Sequence, residues 1–307
     1  MNGKEVGEMG RILVSGLVNM ETTVPVRQFP VSYYPIDYPF FGVNSAPSGV
    51  AFNIAKALAT LEDQVDLCSI TGRDFPAEYI RRELEQLGIS TAAVTEGLSQ
   101  TAASVVLYDP EGRRQVYCDL KDIQEASYSF DRAMVEAADL VAACNINFNR
   151  PLLHLAKAMG KPVATDVHVL GNADDDYNRE FLECADIVFL SDEAIGQDYQ
   201  GFVWQLVQRY NPQILVLGRG CHGAALYLRG EDRIEEFPAF QVGPVVNTVG
   251  AGDALFSSFL HYYTAGKSPR EALCRAQLFA ARKISVAGAA QGFPGPEEME
   301  NLWAQYR

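Results

Sequence analysis

No apolar run in this chain approaches the length needed to cross a bilayer, and no repeat, low-complexity tract or linker interrupts its 307 residues. The six cysteines (Cys68, Cys118, Cys144, Cys184, Cys221, Cys274) lie far apart without a C-x-x-C pair, and the four histidines show no ligand spacing. That pattern argues against a disulfide framework and a Cys/His metal centre, and predicts reduced thiols in the core. Positive charge is scarce: the formal net charge is −14. A general nucleic-acid binder needs a basic face to displace counterions, so that class is excluded. The first ten residues mix Lys4 with Glu5 and Glu8 ahead of a short apolar run, which does not read as a signal peptide. A cytoplasmic protein with no membrane partner is expected.

What is present suits an ordinary globular protein, with 48% apolar and 21% charged residues. The chain is long enough for one large α/β domain or two small ones. Residues 11–16 read as a buried strand ending in a glycine turn, and 65–70 as the next. A helical stripe of Val50, Ile54, Leu58 and Leu61 lies between them, and residues 76–87 form a second helix stopped by Gly88. Strands at 139–143, 162–166, 186–190 and 213–217 alternate with helical segments, which implies a mostly parallel, doubly wound sheet. Two stretches differ. Over 22–46, Val24, Val26 and Phe29 alternate with polar residues before Tyr33, Tyr34, Tyr38, Phe40 and Phe41 crowd together. Residues 102–108 and 113–118 flank Asp109-Pro110-Glu111-Gly112 as a hairpin. These alternating segments, about 22–46 and 101–123, predict a small β-sheet lid inserted in a single domain spanning 1–307.

The most informative stretch is Asn247-Thr248-Val249-Gly250-Ala251-Gly252-Asp253. Two glycines around one alanine permit a tight turn, and Leu255, Phe259 and Tyr263 behind it fall on one helical face that Gly266 ends. A glycine turn feeding a helix start presents unpaired N–H groups and the positive dipole end to an anion. An aspartate there repels phosphate, so its chemical use is to take a proton from an attacking hydroxyl. The competing reading makes Asp253 a helix cap.

This order of motifs resembles the ribokinase-like (PfkB) family of carbohydrate and nucleoside kinases, over about residues 11 to 294. Its C-terminal motif, D-T-x-G-A-G-D, matches residues 247–253, and its G-G-x-x-x-N-x-A matches Ser48-Gly49-Val50-Ala51-Phe52-Asn53-Ile54-Ala55 in part. Thr71-Gly72-Arg73-Asp74 looks like its G-x-D turn. The resemblance implies ATP- and Mg²⁺-dependent phosphorylation of a primary hydroxyl on a furanose sugar or nucleoside. Asp253 would be the base, and the N–H groups of Gly250, Ala251 and Gly252 the anion hole. Gly49 and Asn53 would hold sugar hydroxyls; Glu21 stands where relatives have a sugar-contacting aspartate, and otherwise reads as a surface acid. On the nucleotide side, Gly218, Gly220 and Gly223 would pass beside the phosphates, and Gln277, Ala281 and Gly288 would receive adenine. The same glycines also read as a hairpin entry, and the small residues as close helix packing.

Three departures stand out. Asn247 replaces an acid that helps many relatives hold a monovalent cation, which predicts weak potassium activation or none. Asp192 and Glu193 fall near the N-x-x-E associated with Mg²⁺, with helix capping as the alternative. Ser48 replaces a glycine and adds a hydroxyl near the acceptor. A sibling activity on a phosphorylated sugar would need Arg27, Arg113, Arg114 or Lys121 as a second anion site, and a non-catalytic sugar or nucleotide sensor is the other rival. Asn247 and the wording of residues 49–55 look like the pseudouridine-kinase branch, and the aromatics before Asn53 suit a flat base. Pairing of two lids into a homodimer is also expected.

Overall fold

The computed structural model describes residues 10–307; Lys4, Glu5 and Glu8 lie outside the described residues. The chain opens with β1 (Arg11–Ser15), then β2 (Asn19–Pro25), β3 (Asn44–Ser48), α1 (Val50–Thr60), β4 (Gln64–Thr71), α2 (Phe75–Gln86) and β5 (Val94–Glu96). The hairpin follows as β6 (Ala103–Tyr108) and β7 (Arg114–Asp119). Strands and helices then alternate: α3 (Arg132–Ala137), β8 (Leu140–Ala143), α4 (Arg150–Ala158), β9 (Val163–Val169), α5 (Arg179–Cys184), β10 (Ile187–Ser191), α6 (Tyr199–Tyr210) and β11 (Ile214–Gly218). The antiparallel pair β12 (Ala224–Leu228) and β13 (Arg233–Phe237) precedes three helices, α7 (Ala251–Thr264), α8 (Pro269–Lys283) and α9 (Pro296–Tyr306).

Nine strands form one sheet in the order β13-β12-β11-β10-β9-β8-β1-β4-β5. Every pairing from β5 to β11 is parallel, and β11, β12 and β13 pair antiparallel. Alternation within β1 shows why helices cover both faces. Ile12 and Val14 pack with Leu58, Phe256 and Phe259 on one side, while Leu13 packs with Leu152, Leu153 and Phe181 on the other. Burial on both faces explains why these strands read as continuous apolar runs rather than alternating ones. Parallel strands align their carboxyl ends along one edge, and ligands of open α/β sheets bind outside that edge. No helix among the described residues is long and apolar enough to cross a membrane.

The lid is a four-stranded sheet, β3-β2-β6-β7. The expected boundaries change in one respect. Only residues 19–25 and 44–48 of the first segment are strand, and the expected continuation through Val26 and Phe29 is irregular chain. Pro25 ends β2 still in register with Tyr108, and the Val26 N–H bonds that residue's carbonyl at 2.8 Å; beyond it Pro30, Pro35 and Pro39 lack the N–H that a ladder needs. The five crowded aromatics sit on this excursion and are exposed, Phe41 fully. The hairpin strands lie at 103–108 and 114–119, inside the expected 101–123.

Candidate active site

The N-cap of helix α7 is Gly250, whose φ of 76° is open to glycine at little cost; a Cβ there would stand 2.4 Å from the Ala289 carbonyl oxygen. The turn is therefore fixed by the 286–290 loop pressing on it. The Ala251 N–H donates to the Thr248 carbonyl at 3.2 Å. Among the described residues no such bond occupies the N–H groups of Gly250 and Gly252, and they stand at the positive end of the helix.

Asp253, one turn inside, is buried and is not spent as a helix cap: its Oδ2 accepts from Asn53 Nδ2 at 2.6 Å. Asn53 sits in α1, whose N-cap is Gly49, directly after lid strand β3. The Ser48 hydroxyl lies 3.3 Å from both Asn53 Oδ1 and Glu21 Oε2, and its one proton can serve one acceptor at a time. Glu21 also accepts from the Ala289 N–H. The structure thus joins Glu21, Ser48, Asn53 and Asp253 in one hydrogen-bonded row from lid to helix. Burial pushes the Asp253 carboxyl above its usual range, against the positive charge of His168, the Asn53 hydrogen bond and Lys283. Burial raises Glu21 too, opposed by its bonds to Ser48 and Ala289.

Three neighbours of Asp253 were not singled out in the sequence. Asp166 and His168, at the carboxyl end of β9, bring ligand atoms within 4.8 Å of one another and of Asp253. The His168 N–H donates to Asp166 Oδ1 at 2.8 Å, and His168 itself has φ 58°, uncommon for a residue with a side chain. Lys283 ends α8 fully buried, with its ammonium donating to the Val249 carbonyl. A strand-end D-x-H signal was legible at 166–168. Nothing in the wording of α8 distinguishes Lys283 from an ordinary basic residue in a last helical turn.

The second group of expected residues is held by backbone and space. A Cβ on Gly223 would fall 1.9 Å from the Phe237 carbonyl oxygen, and Gln277 Nε2 reaches the carbonyls of Phe237 and Pro238 at 3.4 and 3.2 Å. Gly223 and Gln277 therefore meet at the end of β13, and strand packing alone accounts for that glycine. Gly218 ends β11, and a Cβ on Gly220 would meet nothing within 4 Å. Ala281 is buried on α8, and Gly288 has φ 93° in the loop behind it. The Oε1 of Gln277 is buried without a hydrogen-bond partner.

Asp192 and Glu193 lie in a short 3₁₀ turn after β10. They do not cap α6, whose cap is Asp198, accepting from the Gly201 N–H at 2.8 Å. Glu193 instead pairs with Arg114 of lid strand β7 at 3.1 Å, and Arg114 donates to Thr248 Oγ1 at 3.0 Å. Asp74 of the G-x-D turn caps α2 and holds Thr101.

The sequence profile of the pfkB family carbohydrate kinases matches residues 9–295. The chain belongs to that family. Among curated relatives it is 26% identical to the acarbose 7(IV)-phosphotransferase of an Actinoplanes species, over 83% of this chain and 86% of that one. It is 28% identical to the ATP-dependent ribose-1-phosphate kinase of Halopiger xanaduensis, over 82% and 84%. Among solved structures, a microbiome-derived acarbose kinase superposes with a TM-score of 0.86 at 25% identity, covering 97% of this chain and all of that one. The protein is an ATP-dependent sugar or nucleoside kinase, and its nine-stranded sheet with a second small sheet is the ribokinase-like fold.

A buried carboxylate thus stands beside a helix start whose first N–H groups face outward, an arrangement able to accept a proton beside bound anionic charge.

Proposed function

We propose that this kinase transfers the γ-phosphoryl group of ATP to a primary hydroxyl of an uncharged acceptor that carries at least one ring beyond the reacting one, a nucleoside or a short oligosaccharide. The observation that carries the reading is the 2.6 Å bond between Asn53 and Asp253, which ties the acceptor side to the base. Glu21, Ser48, Gly49 and Asn53 orient the hydroxyls of the reacting ring. Asp253 accepts the proton as the oxygen attacks, and the Gly250 and Gly252 N–H groups, with Ala251 completing the turn, face the charge that develops. Gly218 and Gly220 border the phosphates. Gln277, Ala281 and Gly288 border the adenine, whose exocyclic amine matches the unpartnered Gln277 Oε1.

The residues present fit Mg²⁺. Asp166 Oδ2 lies 3.8 Å from where a Cβ of residue 252 would stand, and an Asp166 carboxylate oxygen lies within 4.8 Å of one of Asp253, a hard-oxygen pair suited to an ion that keeps its waters. Asp192 offers a further carboxylate after β10, and Glu193 is paired with Arg114. When bound, the ion neutralises phosphate charge.

Lid charges support an uncharged acceptor. Arg27 pairs with Asp37 at 2.7 Å, Arg113 with Asp109 at 2.7 Å, and Lys121 with Asp119. Arg114 faces Thr248 and Glu193, so none of the four lid cations expected for a phosphosugar forms a second anion site. Tyr33, Tyr34, Tyr38, Phe40 and Phe41 offer exposed rings on which a second ring can stack. Two named relatives act on acarbose, which suits an extended acceptor. The exposed β7 and its apolar Val116 and Tyr117 also support lid-to-lid pairing in a homodimer.

ADP release measured across pseudouridine, inosine, acarbose, ribose, fructose and ribose 1-phosphate tests the reading. Pseudouridine, inosine and acarbose, which carry rings beyond the reacting one, should lead in kcat/KM. Preference for a free monosaccharide would remove the second-ring requirement, and preference for ribose 1-phosphate would remove the uncharged one. Binding of acceptors without turnover would return the chain to the sensor class.

A further inference from the structure

Lys283 is alone among the lysines of the described residues in being buried, and it has no exposure at all. A lysine is rarely buried without a partner, and this one has a specific partner: the Val249 carbonyl oxygen, in the middle of the anion-hole turn. That carbonyl and the Gly250 N–H belong to one planar trans peptide and point in opposite directions. An ammonium that holds the carbonyl therefore aims the N–H toward the phosphoryl site and polarises it as a donor. Three further bonds lock the arrangement. Asn247 Oδ1 accepts from the Val249 N–H at 2.7 Å, and the N–H groups of Val246 and Asn247 donate to the carbonyl of Ile284, the residue after Lys283, at 2.9 and 3.1 Å. The charges facing the ammonium are Asp253 and Glu21, both negative, with Arg114 the positive one.

The family resemblance implies a monovalent cation beside the anion hole, held in part by an acid at position 247. The residues here do not fit one. Asn247 carries no charge, its Nδ2 is buried without a partner, and an ammonium already bonds the turn carbonyl. We propose that Lys283 is a built-in replacement for that ion: a positioning residue whose tethered ammonium fixes the Val249–Gly250 peptide and places positive charge beneath the transferring phosphoryl group. The kinase then needs no added monovalent cation.

Two measurements test this, and only the second rests on the phosphoryl-transfer reading. The first is thermal unfolding without substrates, in potassium, ammonium or choline chloride at one ionic strength. The wild type should melt at the same temperature in all three. Lys283→Ala, with the site vacated, should melt higher in potassium or ammonium than in choline, because an ion that binds only the folded state stabilises it. The second is turnover. Lys283→Ala in choline should lose ~10²-fold in kcat, the scale of losing one anion-hole donor, and potassium or ammonium should restore a large part of it. Lys283→Met, uncharged and of similar length, should lose the same rate with ATP affinity kept and no rescue.

Several results overturn the proposal: potassium stimulating the wild type several-fold, Lys283→Ala or Lys283→Met keeping wild-type kcat in choline, or a folded Lys283→Ala that responds to potassium and choline alike. If Lys283→Ala does not fold, the rate of Lys283→Met decides. Should the wild type phosphorylate no acceptor, the functional reading fails while the melting comparison still reports on the ion site.

Discussion

The two halves of the site are built differently. On the side proposed for the acceptor, Asn53 donates to Asp253, and the Ser48 hydroxyl stands between Asn53 and Glu21 with a proton for one of them at a time, across elements far apart in sequence. On the side proposed for the nucleotide, Gly218, Gly220, Ala281 and Gly288 contribute no side-chain bonds, and the polar member, Gln277, bonds backbone with one end and nothing with the other. Buried, hydrogen-bonded groups are preorganised, and their loss is felt when charge develops. In the proposed reading, open space and backbone receive a ligand that is mostly a flat ring and phosphates. Substitutions in the first half should therefore appear in kcat, and those in the second in the KM for ATP.

The largest test is Asp253→Asn. General-base catalysis is worth ~10²–10⁴-fold, so kcat should fall by that factor while ATP affinity, measured by calorimetry, stays near wild type. A few-fold loss would remove Asp253 from the role of base. Asn53→Leu breaks the row at its centre, leaving the Asp253 carboxylate without a donor. Losing a hydrogen bond to a charged group costs about 1.5–3 kcal/mol, so kcat/KM for the acceptor should drop by ~10–10²-fold. An equal effect on the KM for ATP would erase the contrast between the halves. Gln277→Leu sharpens the other side: losing one neutral bond, worth about 1 kcal/mol, should raise the KM for ATP several-fold with kcat unchanged.

pH separates the halves again. Burial depresses Lys283 from 10.5 to about 8, so its ammonium is present below that pH and is lost as pH rises through it. The unfolded chain then binds more protons than the folded one between about 8 and 10.5, so this group makes the protein more stable as pH rises, while turnover falls. Asp253 is the mirror case. Its raised pKa means that the folded state binds the extra proton as pH falls, which favours folding and removes the base. Each contribution is read as a difference between two proteins. The Tm of the wild type minus that of Lys283→Met should rise with pH above about 8, on the alkaline limb where kcat falls. The Tm of the wild type minus that of Asp253→Asn should rise as pH falls on the acid limb. Lys283→Met should flatten the alkaline limb and leave the acid one. The smallest effect is expected from Arg114→Gln. Its ion pair with Glu193 is partly exposed, where such pairs contribute ~0–1 kcal/mol, so a two- to three-fold loss read in kcat/KM is the expected scale.

Much of this protein was legible in its sequence because the signals are local. Glycine turns, buried strand runs and helical stripes need only neighbouring residues, and they located the doubly wound sheet, the lid hairpin and the Asn247–Asp253 turn. The lid excursion was misjudged where alternation through Phe29 outweighed the prolines, although those prolines deny the ladder its donors. What no local pattern carries is which distant groups meet. That Ser48 stands between Glu21 and Asn53, that Arg114 spans from the lid to Thr248, and that His168 and Asp166 flank Asp253 follow from how β9, β3 and β7 are placed against α7. Lys283 shows the limit most clearly. A lysine at the end of an amphipathic helix reads as solvated, because nothing nearby in sequence offers an acceptor. Only the packing of α8 against the turn before α7 removes water from its ammonium and supplies the Val249 carbonyl, and that packing is set by tertiary structure.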